Sequence, residues 1–187
     1  MPKNLGTSCG MIIVLAGHSG VGKTTLLNRF LTEHQGWYYP RSVTTRLKRG
    51  DSNDSEYTYV TVETFKEWMG ADRFFEHTEY NGNFYGTLKS DLDHERVMII
   101  ADIYGALELK KAGAATIFIT TDNYEVLRER MEKRGDSLEA IEKRMDRIQK
   151  DKKFIPQFDY LLMNRVHDFS ETYKRLLAII IAEGCRV

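Results

Sequence analysis

The fold of this chain is indicated by one stretch near its start, MIIVLAGHSGVGKTT, which covers residues 11–25. Residues 11–16 form a continuous apolar run rich in β-branched side chains, and Gly17 ends it. Such a run is typical of a strand that is buried on both faces, as in a parallel sheet. The next residues, 17–24, have the spacing G-x-x-x-x-G-K-[ST] and lead into an amphipathic stretch.

This pattern predicts a loop that binds the phosphates of a nucleoside triphosphate. Glycines let the backbone direct its N–H groups at phosphate oxygens, and the N-terminus of the following helix adds a partial positive charge. Lys23 would add a mobile charge, and the hydroxyl of Thr24 would be a ligand for Mg²⁺. The alternative is an ordinary glycine-rich turn. The predicted phosphate-binding residues are Gly17, His18, Ser19, Gly20, Val21, Gly22, Lys23, Thr24 and Thr25, with His18 expected to be a surface spacer.

The rest of the chain alternates apolar runs with amphipathic stretches. Apolar runs recur at 97–103, 115–120 and 160–163. Apolar helix faces are indicated within 26–31, 126–131 and 169–181. We therefore predict an α/β fold in which a parallel sheet is flanked by helices. Two segments break the rhythm: a polar and aromatic one at 42–89, with alternation over 57–62, and a highly charged one at 134–153. We expect a small mixed-β insertion and a helical segment there, within a single domain whose core is about 11–41 and 90–187.

Composition narrows the class of protein. The chain has 187 residues, with 27 Lys and Arg against 27 Asp and Glu. A dedicated nucleic-acid binder usually carries a basic surplus, so none of its partners is expected to be a nucleic acid. No run of about 18 apolar residues is present, and Cys9 and Cys185 have no metal-ligand spacing. We expect a cytoplasmic protein without a membrane partner, and both a monomer and a homodimer fit the sequence.

Three further elements follow the loop: SVTTRLKR at 42–49, NGNFYGT at 81–87 and the pair Arg134-Gly135. Together with the loop, they resemble the guanylate kinase family of nucleoside-monophosphate kinases, in the family's order and over about residues 11–164. The resemblance implies transfer of the γ-phosphoryl group of ATP to GMP or dGMP, with Mg²⁺ as cofactor. An N-K-x-D element, which would indicate a GTPase, is not found.

The resemblance also implies roles for individual residues. Arg46 and Arg49 match the arginines that hold the acceptor phosphate, where planar guanidinium groups suit bidentate contacts. Tyr57 and Tyr85 match tyrosines that donate hydroxyls to it, although half-buried strand packing would also explain them. The full implied GMP site is Ser42, Arg46, Arg49, Tyr57, Glu76, Tyr85, Gly86, Thr87 and Asp102.

Glu76 matches the carboxylate that recognises guanine, with Ser42 and Thr87 completing the base site. An ionised carboxylate accepts hydrogen bonds only, so it suits the N1–H and 2-amino donors of guanine. Adenine lacks both donors there. In isolation, a glutamate such as Glu76 would more often be a solvated surface charge.

Arg134 and Arg144 match arginines of a lid, 134–153, that closes over the triphosphate. The implied catalytic residues are Lys23, Arg46, Arg134 and Arg144, and Mg²⁺ would be held by Thr24, with Asp102 acting through water. Asp102 could instead be a helix N-cap. Residues 136–139 predict a capping box at the start of a helix. Arg130 and Arg147 are expected to be solvated helix charges, and Asn164 matches a family asparagine without an assigned role.

The sequence leaves two alternatives open. A kinase for a sugar phosphate would leave Glu76, Ser42 and Thr87 without a base to bind. A guanylate-kinase-like module that binds a protein ligand would not need the complete phosphate loop.

Overall fold

The computed structural model describes residues 10–48, 57–80, 82–165 and 168–184. Eight strands and six helices, together with two short 3₁₀ helices at Lys89–Leu92 and Lys152–Gln157, make up this part of the chain. The strands are β1 (Met11–Gly17), β2 (Ser42–Thr44), β3 (Tyr57–Tyr59), β4 (Phe74–Tyr80), β5 (Asn83–Leu88), β6 (Arg96–Ile100), β7 (Ala115–Thr120) and β8 (Tyr160–Met163). The helices are α1 (Lys23–Glu33), α2 (Val62–Gly70), α3 (Ile103–Lys111), α4 (Glu125–Lys133), α5 (Leu138–Asp151) and α6 (Phe169–Gly184).

The main sheet is parallel and has the order β6-β1-β7-β8. The strand β1 lies in its interior, with Ile13 opposite Met98 on one side and Ala115 on the other. Alternate side chains of β1 are buried on opposite faces. Ile13 packs with α1, α4, α5 and α6, whereas Val14 packs with α3. The predicted α/β fold with a doubly buried first strand is therefore confirmed.

The second sheet has the order β3-β2-β5-β4 and is mixed, as the sequence predicted. β2 runs parallel to β3 and antiparallel to β5, which also pairs with β4. Its small core contains Val43, Phe65 and Phe74. Phe75, the next residue along β4, is buried instead in the core of the main sheet, so β4 joins the two sheets.

Two predicted boundaries differ from the structure. The run at 57–62 forms a strand only as far as Tyr59, because the side chain of Thr61 accepts a hydrogen bond from the N–H of Thr64 and starts α2. The run at 97–103 forms a strand only as far as Ile100, and Ile103 is the first residue of α3. In both cases a polar N-cap ends the extended segment although apolar residues continue beyond it.

The predicted capping box at 136–139 is also shifted. The N-cap of α5 is Ser137, whose hydroxyl accepts from the N–H of Ala140. Asp136 is thereby released for contacts with side chains. None of the helices in the described ranges is long and apolar enough to cross a membrane.

Candidate active site

The phosphate loop connects β1 to α1. Gly22 is the N-cap of α1 with φ 98°, and a Cβ there would come within 2.8 Å of the Asn164 amide nitrogen. Glycine is therefore required by both backbone conformation and space. Lys23 Nζ donates to the carbonyl oxygens of Gly17 and His18, each at 2.9 Å, which holds the ammonium group against the loop.

Two side chains from distant elements support this loop. Asn164, which follows β8, donates from Nδ2 to the carbonyl oxygen of Val21 at 2.6 Å. Arg130, in α4, donates from Nη1 to the carbonyl oxygen of Gly20 at 3.0 Å. The expectation that Arg130 is a solvated helix charge was therefore wrong, because only the tertiary fold brings α4 to the loop. A cavity of about 300 Å³ lies between these groups, bordered by Gly20, Gly22, Thr25, Arg130, Asn164 and Phe169.

His18 is not the surface spacer that the sequence suggested. Its side chain is only 3% exposed and contacts the rings of Phe118 and Tyr124 edge-on, with centroids 5.1 and 5.8 Å apart. Neither ring nitrogen has a hydrogen-bond partner among the described residues. Burial, and then the charges of Lys23 and Lys152, lower the pKa of His18 to about 4. The loop thus contains a neutral, buried imidazole.

The proposed acceptor-phosphate residues that the structure describes lie together on the second sheet. Arg46 is 8% exposed, and its guanidinium carbon lies 4.7 Å from the ring centre of Tyr57 and 5.3 Å from that of Tyr59. Tyr85 lies edge-on to Tyr57, with centroids 6.1 Å apart. Tyr59 was missed by sequence reasoning, although it belongs to the same alternating run as Tyr57. Arg49 lies outside the described residues.

The predicted base-recognising pair is formed across β4 and β5. Glu76 is opposite Thr87 in the strand register, and the threonine hydroxyl donates to Glu76 Oε1 at 2.8 Å. The register shifts between Phe74 and Glu76, which is a β-bulge. Glu76 Cδ is 3.7 Å from the position that a Cβ on Gly105 would take, so the carboxylate lies beside the first turn of α3. Gly86 is buried on β5, and Ser42 is on β2 with Tyr57 as its register partner.

Asp102 follows β6 at the carboxyl edge of the main sheet, where ligands of open α/β sheets gather. Its side chain is exposed and accepts from the N–H of Gly105 at 2.8 Å, so the N-cap role that the sequence left open is observed. One carboxylate oxygen is engaged in this bond. Burial and the nearby charge of Asp102 raise the pKa of Asp151, against the opposing effect of Arg147.

The two proposed lid arginines meet at the junction between α4 and α5. Arg134, the C-cap of α4, lies with Nη2 3.4 Å from Ser19 Oγ in the phosphate loop. Both Arg134 and Arg144 bind the carboxylate of Asp136. Burial favours a higher pKa of Asp136, but its bond to Arg134 and the charges of Arg144 and Arg134 outweigh burial, so this pKa is below its ordinary value.

The chain is similar to known proteins in both sequence and fold. The sequence model of a family described as guanylate kinase matches residues 10–183. A guanylate kinase of Synechocystis sp. is 36% identical over 180 residues, covering 91% of this chain and 93% of the relative. A guanylate kinase of Clostridium perfringens is 34% identical over 187 residues, covering 95% and 86%. The crystal structure of guanylate kinase from Anaplasma phagocytophilum has a TM-score of 0.68 and 26% identity, and the match covers 94% of this chain and 87% of that one.

Proposed function

The chain belongs to the guanylate kinase family and transfers a phosphoryl group from ATP to GMP, and from this premise we propose which of its residues bind the two nucleotides. In the reaction, an oxygen of the GMP phosphate forms a bond to the γ-phosphorus of ATP. The bond from that phosphorus to the β,γ-bridging oxygen breaks, and ADP and GDP leave. The residues have to align two anions and neutralise their charge, because the transferred group itself needs little covalent help.

The donor triphosphate binds along residues 17–25, with its terminal phosphates at Lys23. This proposal is supported by the position of the ammonium group, 2.9 Å from two loop carbonyls, at the start of α1. It is also supported by Arg134, which already lies within 3.4 Å of Ser19 Oγ. Arg144 lies beside Arg134, because both arginines bind the carboxylate of Asp136. Lys23 and these two arginines would thus face the same chain of phosphates.

The acceptor phosphate binds at Arg46, together with Tyr57, Tyr85 and Arg49. Arg46 supports this role because a guanidinium group that is 8% exposed and stacked on tyrosines is held in place before the substrate arrives. Such a preorganised fork loses little entropy when it binds a phosphate. In this proposal, the lid covers the phosphates of ATP from one side, and the second sheet holds the phosphate of GMP on the other.

The pairing of Glu76 with Thr87 carries the proposal for the base site. Thr87 Oγ1 donates a hydrogen bond to Glu76 Oε1 at 2.8 Å, which holds the carboxylate beside the first turn of α3. A fixed acceptor meets the N1–H and 2-amino groups of guanine but faces an acceptor at N1 of adenine. An unpaired partner of this kind costs about 1–3 kcal/mol, or roughly 5- to 150-fold in selectivity. All the proposed contacts are to phosphate or base, so dGMP meets the same groups as GMP.

We propose that the donor is MgATP, with the ion held by Thr24 and the phosphates. The described residues contain no group of three or more acidic, histidine or cysteine side chains that could hold a metal. The single hydroxyl of Thr24 suits Mg²⁺, because in phosphoryl transfer this ion is bound by few protein oxygens and mostly by phosphates and water. When bound, the ion neutralises charge on the phosphates. Thr24 would orient it from the second position of α1, with Asp102 contributing through water.

An assay of ADP release with a panel of monophosphates tests the base site. We expect GMP and dGMP to be used, and AMP, CMP and UMP to be used poorly. Glu76→Gln should selectively lower kcat/KM for GMP, because the amide replaces one acceptor by a donor. Glu79→Gln, an exposed change on the same strand, is the matched control and should behave as wild type.

Comparable turnover of AMP and GMP by the wild type would contradict the role of Glu76. So would an unchanged base preference in Glu76→Gln. Lys23→Ala tests the donor site separately: we expect turnover to be lost while GMP still binds in calorimetry. Turnover at the wild-type rate in Lys23→Ala would refute the phosphate-loop assignment.

A further inference from the structure

Asp136 stands between the two proposed lid arginines and binds both. Its Oδ1 accepts from Arg134 Nε at 3.2 Å, and its Oδ2 accepts from Arg134 Nη2 and from Arg144 Nη1. The Asp136 side chain is 14% exposed, compared with 36% and 35% for Arg134 and Arg144. The carboxylate is therefore the sheltered centre of the group, and the two guanidinium groups are its more exposed sides.

The backbone holds Asp136 from both directions. Gly135 lies in the left-handed region at φ 84°, its N–H donates to Glu132 O at 2.9 Å, and the N–H of Asp136 donates to Met131 O at 3.1 Å. These two bonds form the Schellman motif that ends α4. Ser137 then caps α5. Because Asp136 lies between the end of α4 and the start of α5, its backbone has little conformational freedom. The position of its carboxylate is therefore well defined.

The arginines need a partner of this kind. Two guanidinium groups that bind the same triphosphate repel each other when no nucleotide is present, and a carboxylate between them compensates both charges. The position of the group is also suitable, since Arg134 Nη2 lies 3.4 Å from Ser19 Oγ of the phosphate loop. An exposed ion pair adds little to stability, so stability alone is a weak reason for this arrangement.

We propose that Asp136 is a positioning residue that holds Arg134 and Arg144 as a preassembled pair over the triphosphate. The proposal rests on the proposed function, in which both arginines bind phosphates. Asp136 touches neither substrate. Its effect is on the entropy and the direction of the two arginines at the moment of transfer, and a small misplacement of aligned groups is costly in phosphoryl transfer.

Steady-state kinetics of Asp136→Asn, Asp136→Glu and the control Asp146→Asn test this role. Asp146 is an exposed acid on α5, so its variant removes one charge from the helix that follows Asp136. We expect Asp136→Asn to lower kcat about 10- to 100-fold, as for misaligned reacting groups, while KM for GMP stays within about twofold. Asp136→Glu, which keeps the charge, should retain more activity than Asp136→Asn, and Asp146→Asn should match wild type.

A double-mutant cycle separates positioning from a structural role. In an Arg134→Ala/Arg144→Ala background, Asp136→Asn should have no further effect on kcat, because there is no pair left to hold. If Asp136→Asn lowers only the melting temperature and leaves kcat at the wild-type value, the proposal is wrong. An increase in kcat would also overturn it, since the carboxylate would then be restraining the arginines away from the phosphates.

The single arginine variants distinguish a failure of this proposal from a failure of the proposed function. If the single variants Arg134→Ala and Arg144→Ala keep wild-type kcat, the assignment of these arginines to the triphosphate fails, and the positioning role fails with it. If both arginine variants lose activity but Asp136→Asn does not, only the positioning role is refuted.

Discussion

We expect the buried imidazole of His18 to make the stability of this protein sensitive to mildly acidic pH. In the folded chain, burial and the charges of Lys23 and Lys152 lower the pKa of His18 from about 6.5 to about 4. The unfolded chain therefore takes up a proton below about pH 6.5, whereas the folded chain does not until about pH 4. Stability is fully present above this window and is lost as the pH falls through it.

The size of the effect follows from the two pKa values. Between pH 6.5 and pH 5, the free energy of unfolding should fall by about 1.4 kcal/mol per pH unit, which gives about 2 kcal/mol between pH 7 and pH 5. Urea unfolding of wild type and of His18→Gln at these two pH values measures it. The glutamine variant has its own baseline stability, but it lacks the titrating ring, so its loss between the two pH values should be smaller by this amount.

The exposed His77 on β4 provides the control, because His77→Gln removes an imidazole that is already in solvent. We expect His77→Gln to keep the wild-type difference between the two pH values. If wild type and His18→Gln lost the same free energy within about 0.5 kcal/mol, which is the usual scatter of additive effects, His18 would not be the cause of the pH dependence.

Two further predictions concern the support of the loop and the second sheet. Asn164→Ala removes the donor to the carbonyl oxygen of Val21 and leaves that oxygen without this partner. We expect the free energy of unfolding in urea to fall by about 1–3 kcal/mol and ATP to bind more weakly in calorimetry. Wild-type values for both would show that the contact is dispensable. Phe65 is fully buried in the core of the second sheet and stacks on Phe74, with ring centroids 4.3 Å apart. Phe65→Ala should therefore lower the free energy of unfolding by about 3–5 kcal/mol, whereas Met69→Ala, at an exposed position of the same helix, should lower it far less. Equal losses in the two variants would contradict a central role of Phe65 in this core.

Local patterns predicted the elements well where one physical cause dominates. The strand at 11–17 and the turn into α1 follow from a run of apolar residues and from glycines at fixed spacing, which act over a few neighbouring residues. The runs at 57–62 and 97–103 were predicted too long. There, an N-cap at Thr61 or Asp102 competes with an apolar pattern that continues past it. A threonine or an aspartate caps a helix only where the following N–H groups are free to be bound.

The placement of individual site residues depended on contacts between distant segments. Nothing in the sequence around Arg130 distinguishes it from other charged residues of a helix. Only the packing of α4 against the phosphate loop gives it the carbonyl oxygen of Gly20 as a partner. His18 is polar and lies in a glycine-rich loop, so sequence alone favoured exposure. Its burial results from Phe118 and Tyr124, which are about a hundred residues away.

The parallel α/β core, the phosphate loop and, through the resemblance of three short elements, the kinase family could all be predicted from the sequence. These are short-range patterns whose causes lie within a few residues. Three features became visible only in the folded chain. Phe75 joins the second sheet to the main core, and the adjoining bulge brings Glu76 to the first turn of α3. Asp136 binds two arginines, one at the end of α4 and one in α5. The reason is that a side chain's partners are set by how elements pack, and packing is a property of the whole chain rather than of its segments.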